Sequence, residues 1–296
     1  MAPDRKALLQ IHFCVLIWGF TAILGKLISL PAFALVWWRM LLVVAALSLM
    51  PAFWRSLRMI DYRTLGIFAG IGVIVALHWI TFYGAIKLSN ASIAATCMGT
   101  APIFLAFIEP WITGRRFEPR EIGIGIAAVP GVMLVVGGIP HGMRIGVAIG
   151  VLSALLVAIF GALNKRYVEH GEPLCVTGVE LAAGTAFLSV VAFVVPGETA
   201  RFVIPGWHDT VLLLTLSLAC TLFPFTLSLV ALRQISAFSA QLAVSLEPVY
   251  AVVLAALLLN EQRELGLPFY LGLAIILGAV FAHAALQRPA ADHRVA

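Results

Sequence analysis

Apolar residues in this chain arrive in runs of about twenty, separated by short stretches that hold most of the charges, glycines and prolines. A helix needs roughly 20 apolar residues to cross a hydrocarbon layer about 30 Å thick, because each residue rises about 1.5 Å. The pattern predicts ten helical spans, at about 8–28, 32–53, 64–87, 91–113, 120–138, 145–168, 174–196, 208–232, 236–259 and 266–287. No connection is long enough to hold a separate soluble domain. The expected fold is an all-α polytopic membrane protein.

Composition agrees with the pattern. Of 296 residues, 62% are hydrophobic and 11% are charged, against about 25% charged in a soluble domain. The first run could pass for a secretory signal, but about 21 residues is long for one, and Trp18 and Lys26 lie within it. It is read as the first span. Cys14, Cys97, Cys175 and Cys220 are widely spaced and form no CxxC pair, so neither a disulfide framework nor a metal site is expected.

The net charge of +5 reports topology rather than a nucleic-acid partner. With a cytoplasmic N-terminus, the inner segments hold 13 of the 19 Lys and Arg residues and the outer ones hold 5, with Arg39 inside a span. The reverse orientation inverts this bias. Both termini are therefore expected in the cytoplasm, in a multi-pass protein of the cell inner membrane. Small-residue faces at Gly66/Gly70 and at Gly142/Gly146/Gly150 suit close helix packing. They leave monomer and homodimer equally open.

The chain also repeats itself. Residues 85–102, AIKLSNASIAATCMGTAP, align with residues 231–248, ALRQISAFSAQLAVSLEP, at a constant offset of 146. The offset pairs Lys87 with Arg233, Ala94 with Ala240 and Pro102 with Pro248. One further residue in the next loop brings Gly125 onto Gly272 and Gly131 onto Gly278. The units are 1–140 and 141–296, with five spans in each. An odd number makes the second unit enter from the opposite side, which gives two inverted five-helix repeats. That architecture recurs in secondary transporters that bind near the midplane.

Trp18-Gly19, Arg39 and the His78-Trp79 to Ala85 stretch in the first unit, with Glu247-Pro248-Val249 and Glu261 in the second, resemble the EamA-type ten-helix carriers of the drug/metabolite transporter superfamily. The resemblance implies export of small metabolites such as amino acids or related compounds. The four-helix multidrug members of that superfamily use a carboxylate in their first helix. This first span has none, so their proton–drug exchange mechanism does not transfer.

Charged groups at a helix centre cost about 2.5–3.5 kcal/mol on insertion scales, so depth sorts the candidates. His12, Glu109, His283 and Lys26 lie near span ends, where snorkelling accounts for them, and Glu109 has Arg115 and Arg116 close in sequence. Glu247 lies roughly 17 Å from its nearest predicted end, and His78 roughly 21 Å from the same face. Pro248 is expected to kink the ninth helix and free the carbonyl of Val244, with Pro102 mirroring it in the fourth. Trp79 and Tyr83 continue the His78 face into an amphipathic wall. Arg39 suits a bidentate hold on a carboxylate. Its positional counterpart Glu180 is a gate or charge partner separated from it by about 10 Å of depth. Gln241, Trp18 and Tyr250 complete the candidate solute site. The rival reading of each residue is a satisfied packing group.

No HExxH, GxSxG, P-loop or paired-carboxylate motif is present, so neither an enzyme nor an ATP-driven pump is expected. No cofactor or metal is implied. Partners are a small solute and lipid, with proton or exchange coupling as the drive. The reading is a carrier whose two halves pivot around a central cavity. A channel or a non-transporting receptor or scaffold stays open.

Overall fold

A computed structural model describes residues 3–114, 117, 120–194 and 202–286, with the side chains at 3, 4, 120–126, 128, 238, 241, 242 and 283–286 outside the description. The described residues form helices and connecting loops with no strand. The first half holds α1 (Pro3–Leu27), α2 (Ala32–Ser48), α3 (Pro51–Leu57), α4 (Tyr62–Leu88), α5 (Ala91–Met98), α6 (Ala101–Thr113) and α7 (Arg120–Gly137). The second holds α8 (Arg144–Tyr167), α9 (Pro173–Val194), α10 (Trp207–Leu214), a π-helical stretch (Thr215–Leu222), α11 (Phe223–Leu232), α12 (Ala237–Val244), α13 (Glu247–Leu259) and α14 (Leu267–Leu286). Among the described residues, six helical segments are long and apolar enough to cross a membrane, or seven if the bent pair α2 and α3 counts as one. Glu247–Leu259 and Leu267–Ala282 are apolar but shorter.

Several expected spans are interrupted, and each interruption has a local cause. The second is not one helix: α2 and α3 meet at 92°. Pro51 opens α3, and Met50 before it is extended (φ −94°, ψ 115°), as the residue preceding a proline prefers. The fourth and ninth pause at Gly99-Thr100 and Ser245-Leu246, and Pro102 and Pro248 each fall in the first turn of the helix that follows. Proline is tolerated there because its missing N–H is one of the unpaired groups of a helix start. The eighth passes through the π stretch just before Pro224. A proline deprives the carbonyl four residues earlier of its partner, and a wider hydrogen-bond register is one way to absorb that loss.

The repeat is visible in the backbone. At the same offset of 146, Asn90 accepts from the N–H of Ile93 (2.9 Å) and Ser236 accepts from that of Ser239 (3.0 Å). The bond from Thr100 N–H to the Cys97 carbonyl (3.0 Å) matches that from Leu246 to Ala243 (3.1 Å). The left-handed C-cap Gly114 matches the left-handed C-cap Asn260. Caps, interruptions, prolines and stops coincide where few side chains do.

Four contacts fix the direction of each half. Lys26 Nζ donates to the carbonyl of Ser89 (3.5 Å) and Lys87 Nζ to that of Ile28, so α1 and α4 end at one face. Gly146 of α8 lies against Ser89, so α8 starts at that face. It ends at the other, where Lys165 Nζ donates to the carbonyl of Leu232 at the end of α11 (2.7 Å). The helices ending at Leu88 and Leu232 hold the same place in their halves but finish on opposite sides, so the halves are inverted. The face at which α1 begins is called the N-terminal face below, and the opposite one the far face.

The helices do not pack by sequence half. One bundle joins α4, α5 and α6 to α8 and α9, and the other joins α1 and α2 to α10, α11, α12 and α13. The two are related by exchange of the halves, and α7 and α14 form a separate pair. In that pair the backbones touch, because a Cβ at Gly131, Gly138 or Gly272 would overlap main chain of the partner. Gly146 and Gly150 likewise seat Ser89 and Cys97. Gly66, Gly70 and Gly142, in contrast, have nothing near their Cβ positions. The α4 face that packs on α9 is the one carrying Gly72, so the Gly66/Gly70 pair is not a close-packing motif among the described residues.

Candidate functional site

Between the two bundles lies a cavity of about 1080 Å³, counted to its open mouth. His78, Trp79, Phe82, Met98, Phe160 and Asn164 line it from one bundle. Trp18, Thr21, Arg39, Thr221, Phe225, Ser228 and Glu247 line it from the other. The lining runs from the helix interruptions toward the N-terminal face, reaching Ile11, Leu232 and Ala237.

Arg39 closes the deep end. Its Nε donates to Thr221 Oγ1 (2.7 Å), its Nη1 donates to Tyr83 Oη (2.7 Å), and its guanidinium sits 3.8 Å from the centroid of the Trp79 ring. Thr221 accepts this bond while its own hydroxyl donates to the carbonyl of Leu216, five residues back in the π stretch (2.6 Å). The register shift before Pro224 thus places the hydroxyl that holds the arginine. Tyr83 is wholly buried and fits against Gly25, where a Cβ would meet its ring. Two bonds and an aromatic face fix the guanidinium and, among the described residues, leave donors of its five unused.

Glu247 is the first residue of α13, so its carboxylate stands at a helix start inside the molecule, where the helix dipole favours negative charge. It is 7% exposed, lines the cavity and makes no hydrogen bond or ion pair among the described residues. A carboxylate this buried and unpartnered is expensive unless something else meets it. His78 is differently placed. Its Nδ1 lies 2.8 Å from Ser153 Oγ and 3.0 Å from the Ser153 carbonyl, so α8 pins the ring while its face lines the cavity beside Phe160.

Of the other sequence candidates, Trp18 and Trp79 line the cavity, and Tyr83 reaches it through Arg39. Tyr250 does not line it: it is 37% exposed, with its Cβ against Gly19. The side chain of Gln241 lies outside the described residues, as do His283, Arg115 and Arg116. Glu180 sits behind the wall, fully buried, accepting from Asn164 Nδ2 at 3.4 Å, and no ion pair joins it to Arg39 among the described residues. Lining residues with no sequence signal of their own include the Asn164 amide and the Thr21, Thr221 and Ser228 hydroxyls, which look by type like polar groups that only bond their own helix. Phe160-Gly161 had a signal, since it opens the second half as Trp18-Gly19 opens the first.

The far side of the site is held shut by contacts between the bundles. Besides Arg39–Tyr83, Lys26–Ser89 and Lys87–Ile28, the carboxylate of Glu261 accepts from the N–H groups of Ala91 (3.0 Å) and Ser92 (2.8 Å) and from Ser92 Oγ (2.7 Å). It thereby caps α5 of the other half. Asn90 Nδ2 donates to Glu264 (3.1 Å) alongside. Within one bundle, Ser29 grips Asp209 through its N–H (3.0 Å) and hydroxyl (2.5 Å), tying α1 and α2 to α10. At the N-terminal face the bundles are joined by Lys165–Leu232 and by Arg233 Nη2 donating to the Gly171 carbonyl (2.6 Å).

The sequence pattern of the EamA-like transporter family matches residues 5–137 and again 144–283. A solved crystal structure of a protein superposes with a TM-score of 0.66 at 15% identity, covering 95% of this chain and 97% of that one, a likeness of fold alone. No curated protein matches the chain.

Proposed function

Because the chain belongs to the EamA-like transporter family, we propose that this multi-pass membrane protein is a secondary transporter exporting a small zwitterionic metabolite, an amino acid or related compound, by alternating access. The observation that carries the reading is a cation and an anion in one amphipathic cavity, unpaired with each other. Arg39 is fixed with donors to spare and suits a solute carboxylate; Glu247 has no hydrogen bond or ion pair among the described residues and suits an ammonium group. Trp18, Trp79 and Phe160 offer flat apolar surface between them. Solute ions would replace the pairing that the protein leaves undone, and the same ions would pull the two bundles together.

A cavity bounded on one side by Arg39, Tyr83 and Thr221 favours a carrier over a channel, which needs a continuous path. The moving bodies in this reading are the two mixed bundles rather than the sequence halves. With both termini in the cytoplasm of an inner-membrane protein, the cavity lies on the cytoplasmic side, as an exporter awaiting its solute requires. Counterflow of labelled amino acids in proteoliposomes tests the proposal. Saturable exchange that falls at least about tenfold in Glu247→Gln supports it, since losing one charged partner costs about 1.5–3 kcal/mol. Unsaturated flux, or full exchange in a correctly inserted Glu247→Gln, would overturn it.

A further inference from the structure

Glu180 is a charge for which the solute site has no use. It is 0% exposed in α9, inside the bundle built from both halves. Its Oε1 has no hydrogen-bond partner, and its Oε2 has only the 3.4 Å contact from Asn164 Nδ2. The Oδ1 of Asn164 is also buried and unpartnered. Two orphaned acceptors therefore lie within one pair of side chains, an arrangement that native interiors avoid unless something else occupies it.

Among the described residues, no charged side chain of the surrounding elements forms an ion pair with Glu180. Arg39 of α2 is engaged by Thr221 and Tyr83, and His78 of α4 by Ser153. Lys165 of α8 bonds the Leu232 carbonyl, and Arg233 after α11 bonds that of Gly171. Arg55 of α3 is exposed. The contrast with the first half is direct: the counterpart position, Arg39, has two short hydrogen bonds and the face of Trp79, whereas Glu180 has one long contact among the described residues.

We propose that Glu180 and Asn164 form a proton-binding site, reached from the solute cavity through Asn164, that couples proton movement to the motion of the two bundles. This rests on the transporter reading above and adds the place where the driving ion binds. An isolated buried carboxylate costs several kcal/mol, and one added proton removes that cost. Asn164 suits both states, because its amide offers an N–H to the carboxylate and, once turned over, a carbonyl to the acid. Its other side lines the cavity, which supplies the path for the proton. Close packing holds the segment in place: a Cβ at Gly72 of α4 would overlap the backbone of Glu180. One turn before Glu180, Thr177 meets Thr226 of the opposite bundle (3.1 Å), so repacking around the carboxyl is felt where the bundles touch.

The test uses the full-length protein in liposomes without any solute. Infrared spectroscopy across a pH titration follows the carboxylic-acid C=O stretch, alongside thermal stability in sodium and in choline buffer. The expected result is a titrating band that Glu180→Gln removes and that Asn164→Leu shifts in midpoint. Identical titrations in wild type and Glu180→Gln overturn the site, and stabilisation by sodium that Glu180→Gln abolishes replaces the proton with a metal cation. A second arm compares uptake driven by a pH gradient with counterflow. In Glu180→Gln the ratio of the two should fall about tenfold, within the usual range of coupling between sites. An unchanged ratio overturns the coupling. If the wild type fails to transport amino acids, the solute reading falls, while the infrared arm still decides the proton site.

Discussion

Arg39 shows how much of the site depends on single hydroxyls. Its guanidinium is held from both bundles, by Tyr83 on one side and Thr221 on the other, so it is at once a solute donor and a strut across the closed end. Tyr83→Phe removes one strut bond and leaves a buried donor unmet, a loss of about 1–3 kcal/mol. Thermal unfolding in detergent should show the drop, and the change should be smaller in Tyr83→Phe made on Arg39→Ala, where no donor is orphaned. Equal drops in both backgrounds would mean that the hydroxyl matters for packing alone. A second residue acts outside the membrane. Asp61 caps α4, and the Thr64 hydroxyl and N–H hold its carboxyl below the usual carboxylate range. A depressed group stabilises above its ordinary value and loses that contribution as pH falls through the carboxylate range. Asp61→Asn, which caps equally well, should match wild type at neutral pH and lack that acid-side decline.

At the scale of elements, the sequence pattern placed the helices and missed their interruptions. Apolar runs mark where chain can lie in lipid, but a run reads the same whether its hydrogen-bond ladder is continuous or paused. Pro102 and Pro248 signalled a disturbance, yet only the fold makes Glu247 the first residue of a helix rather than a residue in the middle of one. The repeat was legible because backbone devices keep their spacing, as in Asn90 with Ser236 and Gly114 with Asn260, even where side chains have diverged. Which small residues face a neighbour was not legible, since Gly66 and Gly272 look alike in sequence. A Cβ on Gly272 overlaps the backbone of α7, whereas one on Gly278 meets nothing. Gly272→Ala should therefore cost about 1–3 kcal/mol by overpacking, and Gly278→Ala should be neutral or slightly stabilising by the helix preference of alanine. Paired melting curves check this, and equal effects would refute the α7–α14 contact.

Across the whole molecule, inversion makes each half supply the same devices to opposite faces, so any difference between the faces must come from side chains that broke the symmetry. Lys87 and Arg233 did not break it: both bond a carbonyl after the first helix of a half. Glu261 did. It caps α5 at the far face, and the residue at the matching place in the first half is Arg115, which has no acceptor to offer a helix start. The far face therefore has a latch that sequence symmetry does not copy to the N-terminal face. Glu261→Ala leaves the N–H groups of Ala91 and Ser92 without their carboxylate, and the bundles should part there more often. A cysteine introduced as Thr21→Cys, in the cavity beyond Arg39, reads this with a membrane-impermeant maleimide applied from the far side, because the four native cysteines are buried. Losing charge-assisted bonds worth about 1.5–3 kcal/mol should raise the labelling rate roughly tenfold or more. Unchanged labelling would place the barrier at Arg39 and Tyr83 alone and make Glu261 a cap without a gate.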